Sequence, residues 1–130
     1  MRAYKIILSS NYSNETQADN TFFFRIEFAE IFQDNAVFEL AEFTKKFNDK
    51  IELVQKEMEN IILKMTESFN ENLSLTSNKI EVWKNNYQDI IFSIRGKISN
   101  FPKSQMLDKI NLIKNDLLSN DIFLRINSNW

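Results

Sequence analysis

Phe22, Phe24, Ile26 and Phe28 alternate along the chain with Phe23, Arg25, Glu27 and Ala29, the period-two pattern of a strand with one face in a core. Wound as a helix, the same phenylalanines would circle the axis and leave no polar side. The strand predicted for "TFFFRIEF" gives Phe22, Phe24 and Phe28 a place in the core. Phe23 has none, because it shares its face with an arginine and a glutamate. Upstream, "YKIILS" (4–9) is a short β-branched run followed by the polar segment "NYSNETQADN", which predicts another strand and its exit.

From Asp34 the period changes. Val37, Leu40, Phe43, Phe47, Ile51, Val54, Met58, Ile61, Ile62, Met65, Phe69 and Leu73 recur at steps of three and four, one stripe of an amphipathic helix. Asp34 or Asn35 is placed to cap its start. Unbroken, such a helix runs roughly 60 Å at 1.5 Å per residue. A compact chain of this length measures only about 36 Å across. Either the molecule is elongated or the helix breaks, with "FNDK" (47–50) the favoured point.

Asn78 and Glu81 have capping-box spacing, and Ile80, Trp83, Tyr87, Ile91, Ile94 and Ile98 follow at helical intervals. These predict a second helix, with Gly96 at its C-terminal cap or as a weak point within it. The rival reading is a hairpin, since "LSLTSNKIEVW" alternates on either side of a polar tetrad. Pro102 opens a third helix through Met106, Leu107, Ile110, Ile113, Leu117 and Leu118, and "IFLRI" (122–126) closes as a strand. The predicted order is β-β-α-α-α-β in a single domain, 1–130. This is an α+β fold, mostly helical, with a small sheet of about three strands against a helical hairpin or three-helix layer.

Composition supports the helical bias. Glycine and proline each occur once in 130 residues, and tight turns usually need them. Enrichment in Ile, Asn, Lys and Phe has the character of an AT-rich coding sequence, as in many bacteria and phages. Cysteine is absent, so there is no disulfide framework. The N-terminus lacks a signal-peptide core and no apolar run approaches about 18 residues. The expected location is cytoplasmic, with no membrane association.

The net charge of −2 is unevenly distributed. Residues 31–76 carry five basic and nine acidic groups, and residues 77–130 carry eight basic and five acidic. Either these segments pack together and complement one another, or the acidic one is a surface held for a basic partner.

Chemistry is mostly excluded. Without His or Cys there is no triad of the usual kind, zinc site or thiol. One glycine cannot make a P-loop or a dinucleotide fingerprint. Glu57/Glu59, Glu27/Glu30 and Glu39/Glu42 have the spacing of solvated charges rather than catalytic pairs. No enzyme activity, cofactor or metal is expected. Arg95, Lys97, Lys103 and Lys109 near Phe101 offer a thin case for nucleic acid, opposed by a pI of 5.2.

What remains is binding. Phe38, Leu53 and Leu63 fall roughly opposite the long apolar stripe, with Glu42, Asp49, Glu67 and Glu71 on the same side. Phe23 with Arg25 and Glu27 forms a second candidate, an aromatic anchor ringed by charge. The expected function is a small non-catalytic inhibitor that binds another protein with a basic surface. Examples are the immunity protein of a bacterial nuclease-type toxin and a phage anti-defence inhibitor. The protein would be a monomer or homodimer. The alternative is a structural coiled-coil-like protein self-associating through the long helix.

Overall fold

The computed structural model describes residues 2–10, 21–30, 40–84 and 89–129, with residues 30, 40–44, 46 and 84 described by backbone alone. Six strands and two α-helices occur among them: β1 (Arg2–Ser10), β2 (Phe22–Glu30), α1 (Leu40–Phe69), β3 (Leu73–Leu75), β4 (Glu81–Lys84), β5 (Ile90–Ile98), α2 (Lys103–Leu118) and β6 (Ile122–Ser128). The mostly helical, three-stranded fold expected from the sequence is therefore overturned. The protein is α+β with one six-stranded mixed sheet.

The sheet runs β3-β5-β2-β1-β6, with β4 also on β5. All pairings are antiparallel except β1 with β6. β3 and β4 both bond the same strand at different heights: Leu73 stands opposite Ile98, and Glu81 opposite Ser93. They form one interrupted edge, laid end to end. Both flanks of "LSLTSNKIEVW" are thus extended, yet they pair with β5 and not with each other.

The second helix expected over residues 78–98 is replaced by β4 and β5. Ile90, Phe92, Ile94 and Ile98 point into the core while Ile91 and Ser93 are buried on the other side. A central strand buried on both faces carries apolar residues at nearly every position, and some of them fall at helical intervals by coincidence. Gly96 is no helix cap. It lies opposite Phe24, and a Cβ there would come within 2.6 Å of both Phe24 Cζ and the Ser74 carbonyl oxygen.

Both helices cover the same side of the sheet. Tyr4, Ile6, Leu8, Phe22, Phe24, Ile26 and Phe28 meet Val54, Met58, Ile61, Met65 and Phe69 of α1 and Met106, Ile110, Ile113 and Leu117 of α2 in one buried cluster. Helix α1 runs unbroken through residues 47–50. Its apolar stripe is consumed by this core. Turns that glycine would ordinarily make use Asn70, Asn100 and Asp121, all with positive φ, a conformation these short polar side chains tolerate best after glycine. Scarce glycine therefore did not require a mostly helical chain.

Candidate binding face

Both helices occupy one side, and no described helix packs on the other, where Ile91, Ser93 and Glu27 are buried at the centre while Phe23, Arg95 and Lys97 are exposed. Strand alternation decides what it shows: Ile7 and Lys5 from β1, Phe23, Arg25 and Glu27 from β2, Ser93, Arg95 and Lys97 from β5, Glu81 and Trp83 from β4, and Arg125 from β6. Phe23 is 50% exposed and stands directly opposite Lys97.

The centre of this face is tied together by side chains. Arg25 Nε lies 2.6 Å from Glu27 Oε1, and Arg95 Nε donates to Glu81 Oε1 at 2.8 Å. The Arg25 guanidinium sits over the Trp83 ring, 5.8 Å from its centroid, at cation–π range. Trp83 Nε1 donates to Ser93 Oγ at 3.3 Å. Arg25, Glu81, Val82, Trp83, Ser93 and Arg95 line a depression of about 390 Å³. The Arg25–Glu27 contact is close but badly aligned, and Arg25 Nε and Glu27 Oε1 find no hydrogen-bond partner among the described residues.

The structure thus gathers Phe23, Arg25 and Glu27, as their alternation implied. Trp83, Arg95, Lys97 and Glu81 join them, although the helix expected over 78–98 dispersed them. The alternation of "IRGKI" (94–98) was the available signal.

The other candidates fare differently. Asp49 and Leu53 come together with Glu52, Gln55, Lys56 and Glu59 along a shallow groove on the outer side of α1. Glu67 and Glu71 are exposed, but Glu67 lies about 27 Å farther along the helix axis than Asp49 at 1.5 Å per residue. Phe38 and the side chain of Glu42 lie outside the described residues. No single surface unites the acidic residues with Phe23. The basic patch proposed near Phe101 also dissolves. Phe101 is buried edge-on against Phe69, with ring centroids 5.0 Å apart. Arg95 and Lys97 project from the helix-free sheet face, while Lys103 and Lys109 belong to α2.

An apolar hollow of about 270 Å³ opens between α1 and the interrupted edge, lined by Met58, Ile62, Leu63, Leu75, Ile80 and Ile94 among others. Among the described residues no cluster of three or more acidic groups is arranged to hold a metal ion. No described helix is long and apolar enough to cross a membrane. The chain matches no family model, no curated protein and no solved structure.

Proposed function

We propose that this chain is a non-catalytic binding protein that recognises another protein through the face of its sheet on which no described helix packs. One observation carries the reading: a half-exposed phenylalanine stands on the sheet among arginine and lysine, with a tryptophan held by arginine farther along the same face. Tryptophan and arginine are enriched in binding hot spots, and the apolar anchor of such a site sits among polar neighbours. Phe23 is the anchor. Trp83 and Arg25 hold each other in place, which lowers the entropy lost when a partner binds.

Such a surface suits the inhibitor role drawn from the sequence, in which a small domain blocks a site on a larger protein. The cytoplasm is kept as the proposed setting of the encounter, and a cysteine-free chain supports it in that a reducing compartment asks for no disulfides. Self-association through the long apolar stripe loses its support, because Val54, Met58, Ile61, Met65 and Phe69 are buried in the core.

The test compares capture of proteins from a lysate of the source cells by the parent, Phe23→Ala and Leu112→Ala. Leu112 is 62% exposed on α2, away from the face. A protein retained by the parent and Leu112→Ala but lost with Phe23→Ala supports the reading. Equal retention by all three refutes it.

A further inference from the structure

We infer that the partner meets this face with an acidic surface, a point that rests on reading the face as the binding site. The chain as a whole is acidic, with a pI of 5.2, and complementarity to the whole chain would call for a basic partner. Among the described residues the helix-free sheet face has the opposite sign. It carries Lys5, Arg25, Arg95, Lys97 and Arg125 against Glu27 and Glu81.

The geometry sharpens the difference. The Arg25 side chain is 41% exposed where Glu27 is 11% exposed, so the cation of that pair is presented and the anion is sunk. Lys97 stands directly across from Phe23, Arg25 is two residues along the same strand, and Arg95 faces Arg25. Three cations therefore border one side of the aromatic anchor. The complement is an apolar recess rimmed by Asp and Glu carboxylates, which guanidinium groups recognise with charge-assisted hydrogen bonds. Arg25 keeps its ion pair with Glu27 and still presents the exposed part of its side chain to that rim.

A single-stranded nucleic acid would also bring negative charge, but the aromatic residues are badly disposed for it. Trp83 aligns with Ile91, which faces Ala29 on β2, six residues from Phe23; at about 3.4 Å per residue that is roughly 20 Å. The Trp83 ring is engaged by Arg25 and its N–H by Ser93. Among the described residues that leaves Phe23 as the free stacking platform beside these cations, with the Phe123 ring met by Lys114, and such binding relies on successive platforms.

The experiment measures binding of the intact protein to poly-L-glutamate, poly-L-lysine and an oligodeoxythymidylate at low ionic strength. The parent is compared with the Arg95→Glu, Lys97→Glu double variant and with a Lys103→Glu, Lys109→Glu control on α2. The inference expects polyglutamate to bind tightest, the sheet-face double variant to lose at least about tenfold, and the α2 control to match the parent. Tighter binding of polylysine, or indifference to the sheet-face charges, overturns it. Preference for the oligonucleotide overturns it in favour of nucleic acid. If Phe23→Ala abolishes protein capture while polyglutamate fails to bind, the face remains the site and only its acidic complement is wrong.

Discussion

Arg25 and Arg95 stand directly opposite each other on adjacent antiparallel strands, a placement in which like charges repel. Each is drawn sideways by its own carboxylate, Arg25 to Glu27 and Arg95 to Glu81. Glutamates 27 and 81 therefore keep two guanidinium groups apart on the sheet.

The two carboxylates differ in burial, and their removal should differ in cost. Glu27 is 9% exposed as a residue, so Glu27→Gln should destabilise by about 1–2 kcal/mol, the loss of a charged contact made by a buried carboxylate. Glu81 is considerably more exposed, and Glu81→Gln should cost less than about 1 kcal/mol. Urea denaturation of the two variants measures both. Equal midpoints would show that Glu27 does not hold Arg25.

Gly96→Ala should destabilise by about 1–3 kcal/mol, the usual cost of overpacking. The added methyl would collide with the Phe24 ring and with the backbone carbonyl of Ser74. The ring could turn aside, but the carbonyl moves only if β3 moves. A thermal midpoint unchanged in Gly96→Ala would mean that β3 is free to shift.

Tyr4 links the sheet to α1. Its hydroxyl donates to Glu57 Oε1 at 3.2 Å, and Glu57 also pairs with Arg2. Burial, followed by the charge of Glu57 and the hydrogen bond to it, raises the Tyr4 pKa well above its ordinary 10.0. The folded protein holds that proton after the unfolded chain has released its own, so this stability is fully present below about pH 10 and declines as pH rises beyond it. Between pH 9 and 11 the melting temperature should fall more steeply in the parent than in Tyr4→Phe. Identical slopes would contradict the assignment.

Phenylalanine positions should separate by depth. Phe69, 2% exposed, should lose about 3–5 kcal/mol on replacement by alanine. Phe47 only packs against the edge of the core and should lose less. Phe23→Ala should stay within about 0.5 kcal/mol of the parent, as surface substitutions do. Melting curves of the three variants check the order.

Local alternation and helical stripes were legible wherever burial was one-sided. β2 showed its inward phenylalanines and its odd one out, and α2 showed Met106, Ile110, Ile113 and Leu117, all buried. β5 was not legible, because burial on both faces erases the period that distinguishes strand from helix. The same error hid half of the binding face. Phe23, Arg25 and Glu27 are neighbours in sequence, but Arg95 and Lys97 reach them only through the pairing of β2 with β5. The helical bias inferred from scarce glycine failed because Asn70, Asn100 and Asp121 supply the left-handed turns.

The interrupted edge has a consequence for how copies of the protein meet in a crowded solution. Glu81 lies eight positions after Leu73, while their partners Ser93 and Ile98 are five positions apart; the three surplus residues bow out between β3 and β4. A foreign strand approaching this border finds three bonded residues, a protrusion, and then a short run in shifted register. Long uninterrupted borders are what recruit further strands and grow into fibrils. Deleting Ser77–Lys79 to fuse β3 and β4 into one continuous strand would remove that obstruction, and light scattering on prolonged incubation would register the loss as growing aggregates.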